Sequence, residues 1–69
     1  MTILKERIQM RKDKGFTRRE LSIRSGVTEQ TIFELETKRV HTSSEIAVKL
    51  SDVLGVTVDK FLGIAGDTE

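Results

Sequence analysis

Thr17-Arg18-Arg19-Glu20-Leu21-Ser22-Ile23-Arg24-Ser25-Gly26-Val27-Thr28-Glu29-Gln30-Thr31-Ile32-Phe33-Glu34-Leu35-Glu36 is the stretch that decides the fold. It opens with Thr17 and Glu20 at the T-x-x-E spacing of a capping box, in which each side chain satisfies the other's free backbone amide at a helix start. It breaks at Gly26-Val27-Thr28. There a glycine able to take the left-handed conformation ends one helix, and a threonine caps the next. The same Gly–apolar–Thr punctuation recurs at Gly15-Phe16-Thr17 and Gly55-Val56-Thr57. Four residues beyond each threonine stands Leu21, Ile32 or Phe61, so the apolar residue before each cap can staple onto the helix it introduces. The chain therefore turns sharply between short helices.

Outward from that stretch, the pattern predicts five helices. The first runs from about Ile3 to Lys14, with Ile3, Leu4, Ile8 and Met10 near one stripe and Lys5, Arg7, Arg11, Lys12 and Lys14 over the rest. The second runs from about Arg18 to Arg24, and the third from just after Thr28 to about Glu36, with Ile32 and Leu35 inside. A second T-x-x-E box, Thr42 and Glu45, opens the fourth, whose Ile46, Ala47, Leu50, Val53 and Leu54 make an apolar stripe. The fifth is short, Val58 to Leu62, with Phe61 and Leu62 turned inward, and residues 63–69 are expected to fray. The expected fold is all-α, a single domain over 1–69 built as a compact bundle of four to five short helices. Absence of proline suits it. Short helix, tight glycine turn, short helix over about 17–36 is the geometry of a helix-turn-helix.

At 69 residues the chain lies near the lower limit for a core that folds without staples. It has no Cys, hence no disulfide and no thiolate metal site. His41 is the lone histidine and reads as a solvated loop residue, so no metal and no cofactor are expected. No catalytic constellation stands out, and an enzyme is the least supported class. No apolar run reaches membrane-spanning length and no signal peptide is visible, which leads us to expect a cytoplasmic protein. Net charge is only +1, but Met1 to Arg24 carries eight bases and three acids, while the rest carries four bases and eight acids. The basic third is either a phosphate-binding patch or a solvated helix surface.

Thr17-x-x-Glu20-Leu21-Ser22-x-x-Ser25-Gly26-Val27-Thr28-x-x-Thr31-Ile32-x-x-Leu35-Glu36, continued through Ile46, Leu50, Leu54-Gly55-Val56 and Asp59-x-Phe61-Leu62, resembles the Cro/repressor (XRE-like) helix-turn-helix family of phage and bacterial regulators. The resemblance covers about Leu4 to Leu62. It implies a lambda-repressor-like DNA-binding domain, cytoplasmic and bacterial or phage-encoded. It also implies a non-catalytic regulator of transcription, a repressor by expectation, that reads a double-stranded operator as a homodimer.

By that resemblance the third helix enters the major groove, and Glu29, Gln30, Phe33 and Glu34 are the base-reading candidates. Gln30 can bond adenine in two places, and a Glu can accept from the amino group of cytosine. Thr17, Arg18, Arg19, Thr31, Lys38 and Arg39 are the phosphate candidates, and Arg18 can alternatively reach a guanine. Arg18 replaces the family's usual Gln, and Lys38 lacks the glycine that often precedes the family's lysine there. Arg11 and Glu36 are the implied partners of a partly buried salt bridge. The departures keep other readings open. A third helix with Glu29, Glu34 and Glu36 and no base is unusual for a DNA reader. Phe33 can touch a thymine methyl, pack on another protein or fold back on the domain. Ile23 and Phe33 together are a possible partner patch. The alternatives are a protein-interaction module on the same fold and the antitoxin of a toxin–antitoxin pair.

Overall fold

The computed structural model describes residues 3–38 and 40–63. Five helices follow in order: α1 Ile3–Asp13, α2 Arg18–Ser25, α3 Glu29–Thr37, α4 Ser44–Leu54 and α5 Val58–Leu62. Among the described residues there is no strand. The expected frayed tail lies, beyond Gly63, outside the described residues.

Local chemistry sets most boundaries. Thr17 and Glu20 form a reciprocal capping box, Glu20 N donating to Thr17 Oγ1 at 3.0 Å and Thr17 N to Glu20 Oε1 at 2.9 Å. Thr28 caps α3 and Thr57 caps α5 without a box, each hydroxyl accepting from the backbone N–H three residues on. Gly26 ends α2 at φ +80°, where an L side chain is strained, and donates its N–H to Ser22 O at 2.9 Å. The staples close as spaced: Val27, Leu21, Ile32 and Phe61 are in the core, and Phe16 and Val56 pack against it.

Two expectations need correction. The fourth helix is capped by Ser43, not Thr42: Ile46 N donates to Ser43 Oγ at 3.3 Å. Glu45 is thereby left out of the N3 position that a box requires and pairs instead with Lys49, one turn on, at 3.3 Å. Thr42 Oγ1 is buried without a hydrogen-bond partner. In α1 the face turned inward is Arg7, Met10 and Arg11, whereas Ile3, Leu4 and Ile8 are only half-buried. Arg7, read from sequence as a surface base, is a core residue.

The core is Leu21, Ile32 and Leu50, with Leu35, Ala47, Leu54, Met10, Val27 and Phe61 around them. α3 packs on both α1 and α2, and α4 packs on α2 and α5. One side of α3 is thus fixed against α1 and α2 through Ile32, Leu35 and Glu36, and its other side is left to solvent.

Candidate nucleic-acid interface

The turn between α2 and α3 holds their angle. Gly26 reverses the chain, and Val27 N donates to Ser25 Oγ at 3.1 Å. Val27 is buried, so the turn is anchored into the core rather than hinged on it. At the start of α3, Thr31 N donates to Thr28 Oγ1 at 3.2 Å, and the two hydroxyls bond at 2.9 Å. With Ile32, Leu35 and Glu36 buried, the helix presents Glu29, Gln30 and Phe33 to solvent, with Glu34 half-buried beside them. Gln30 Nε2 donates to Glu34 Oε2 at 3.1 Å across one turn. That bond takes one of the two amide hydrogens and leaves the other, with the carbonyl oxygen, available.

Behind this surface lies a charged knot. Glu36, with 4 % of its side chain exposed, accepts from Arg11 Nε at 2.7 Å and Arg11 Nη2 at 3.1 Å. This two-bond fork is the arrangement that suits a buried guanidinium–carboxylate pair. Arg11 Nη1 also donates to Phe16 O at 2.9 Å, tying α1 to the loop before α2. Glu36 has a second cation: Arg18 Nε donates to Oε1 at 3.0 Å. Arg18 lies 5.0 Å over the Phe33 ring and keeps 38 % of its side chain exposed. One carboxylate therefore joins α1, α2 and α3, and a full positive charge is left over.

Arg7 forms a second buried anchor, which the sequence reading missed. Its Nε donates to Phe61 O at 3.0 Å, its Nη1 to Leu35 O at 3.1 Å, and its guanidinium lies 4.8 Å over the Phe61 ring. Both carbonyls belong to last turns, of α5 and α3, where helices leave acceptors without a partner and the backbone dipole is negative. No acid among the described residues pairs with Arg7, and burial pushes its pKa below the ordinary arginine value. A signal was present in the sequence: Arg7 is one turn before Arg11 and on its face.

Three of the phosphate candidates, Thr17, Arg18 and Arg19, line an open cleft of about 530 Å³ between the end of α1 and the start of α2, together with Arg11, Lys12 and Glu29. Thr17 lines it as the α2 cap. Thr31 is half-buried and bonded to Thr28. Lys38 is exposed and ends α3 at φ −130°, an extended conformation open to any residue, so the missing glycine costs the helix end nothing. Arg39 lies outside the described residues. Of the expected apolar pair, Ile23 is 72 % exposed on α2, while Phe33, 40 % exposed, is covered on one face by Arg18.

A family model described as Helix-turn-helix matches residues 8–61. That span includes both capped helices, the glycine turn, the Arg11–Glu36 pair and Phe61. The chain belongs to the XRE-type helix-turn-helix family, and its class is that of DNA-binding regulators. Domains of this family are not usually catalytic. No curated protein and no solved structure matches the chain. No helix of the described residues is long and apolar enough to cross a membrane.

Proposed function

We propose that this protein is a sequence-specific repressor that occludes an operator by laying α3 in the major groove. The observation that carries the reading is the outward set Glu29, Gln30, Phe33 and Glu34 on a helix whose other face is locked into the core. Base discrimination needs such rigidity, because phosphate contacts position a protein while base-edge contacts specify. Gln30 reads adenine, and Glu29 and Glu34 accept from cytosine amino groups. Attraction to the duplex comes from Lys12, Arg18, Arg19 and Lys38 rather than from α3 itself, with Arg39, Thr17 and Thr31 as further backbone contacts. One domain offers few base contacts. Two copies on a pseudo-palindrome, with half-sites roughly 34–36 Å apart, double them.

Selection of duplexes from a random pool, with the label on the DNA, tests this reading. A palindromic consensus supports it. Gln30→Ala should then relax preference at one position, at a cost of about 1–3 kcal/mol there. An equal loss on every sequence removes Gln30 from the reading set. The exposure of Ile23 favours one other reading, a protein-interaction surface on the same fold. Salt separates the two, since binding to DNA weakens steeply as salt rises and apolar docking does not.

A further inference from the structure

Arg18 is held more tightly than a phosphate contact requires. A phosphate can be met by a mobile base from many directions, but a base edge must be met from one. The Nε edge of Arg18 is bonded to Glu36 at 3.0 Å, and Glu36 is itself fixed by the two bonds from Arg11. One face of the guanidinium lies on the Phe33 ring, 5.0 Å from its centre. Both side chains remain more than a third exposed, so the assembly is not closed off as a core contact would be. What stays free on Arg18 is the Nη1/Nη2 edge, a planar fork of N–H donors with its direction already set. That edge matches the O6 and N7 acceptors of guanine in the major groove. The exposed part of Phe33 is an apolar surface beside it, and the apolar group a base presents in that groove is the C5 methyl.

We propose that Arg18 and Phe33 form one reading unit, which takes a guanine adjacent to a thymine, the base that presents a C5 methyl group in the major groove. Glu36 and Arg11 act as positioning residues through Arg18. This inference rests on the DNA-reading proposal and reassigns Arg18 within it from backbone to base.

The test uses the full chain and its selected duplex, with single atoms of the DNA removed. 7-Deazaguanine replaces each guanine in turn, deleting N7 and leaving every phosphate in place. Uracil replaces each thymine, deleting only the methyl. One deazaguanine position should weaken wild-type binding roughly tenfold, and the uracil substitution beside it by about fourfold, the worth of one buried methyl. Both effects are read on the unaltered protein, so they stand even if a variant fails to fold. With folded Arg18→Ala the deazaguanine effect should vanish, and with folded Phe33→Ala the uracil effect should vanish. Four results overturn the inference alone: a consensus with no guanine beside thymine, no deazaguanine penalty, no uracil penalty beside it, or an Arg18→Ala loss equal on all duplexes. A chain that enriches no duplex overturns the DNA-reading proposal and this inference with it.

Discussion

Substituting Glu36 by Gln removes one negative charge and almost no volume, and it should come close to unfolding the protein. Three charge-assisted hydrogen bonds end on that carboxylate, from Arg11 Nε, Arg11 Nη2 and Arg18 Nε. Gln can accept at one oxygen only, so at least one bond of the fork is lost, and Arg11, 10 % exposed, is left as a buried cation without its counter-ion. Breaking a buried pair in this way costs about 3–5 kcal/mol. A domain of this size has roughly 3–10 kcal/mol in total, at about 0.05–0.15 kcal/mol per residue. The midpoint of thermal unfolding should fall by at least about 12 °C, at the usual ~4–8 °C per kcal/mol. Helical circular dichroism during urea and thermal unfolding is the assay, since the chain has no Trp or Tyr to report by fluorescence. The double variant Arg11→Met/Glu36→Leu carries the control. It removes both charges together and should recover at least half of the loss, because an apolar pair of similar volume avoids the unpaired charge. A Glu36→Gln loss under about 1 kcal/mol, or a double variant no better than the single, would refute the reasoning.

Arg7→Ala should destabilise by about 2–5 kcal/mol in the same unfolding assay, because Leu35 O and Phe61 O lose their donor and each unsatisfied acceptor costs about 1–3 kcal/mol. Relief of the guanidinium's burial offsets part of this, so a stabilised variant would mean that desolvation outweighs the two bonds. Gly26→Ala should cost about 1–2 kcal/mol, the penalty of a left-handed L residue, and no more, since an added Cβ would meet no atom within 4 Å. Collapse of the fold in Gly26→Ala would mean that the turn is sterically closed as well as strained.

The capped helices were legible because their signals are local. Thr17 with Glu20, and each glycine with the apolar residue and threonine after it, state their geometry within one turn of chain. The exposed side of α3 was legible for a related reason: once Ile32 and Leu35 face the core, helical periodicity turns Glu29, Gln30 and Phe33 to solvent, with Glu34 at the margin. Three features were not legible. Thr42, Ser43 and Ser44 all have cap-competent side chains, and local chemistry does not choose between registers when Glu45 can serve a box or pair with Lys49. Arg7 carries a charge that sequence patterning assigns to the surface, and only the meeting of two helix C-termini around it makes burial tolerable. Arg18 sits 18 residues from Glu36 and 15 from Phe33 along the chain, so its partners depend on the angle between α2 and α3 rather than on spacing.

The direct test of DNA reading is the ratio of dissociation constants for the selected duplex and a scrambled duplex of the same length and composition, at about 0.15 M ionic strength. The expected preference is roughly a thousandfold or more, the range in which specific binders exceed their own non-specific binding. A ratio near one in a folded protein would contradict it and would leave α3 as a surface for something other than base edges.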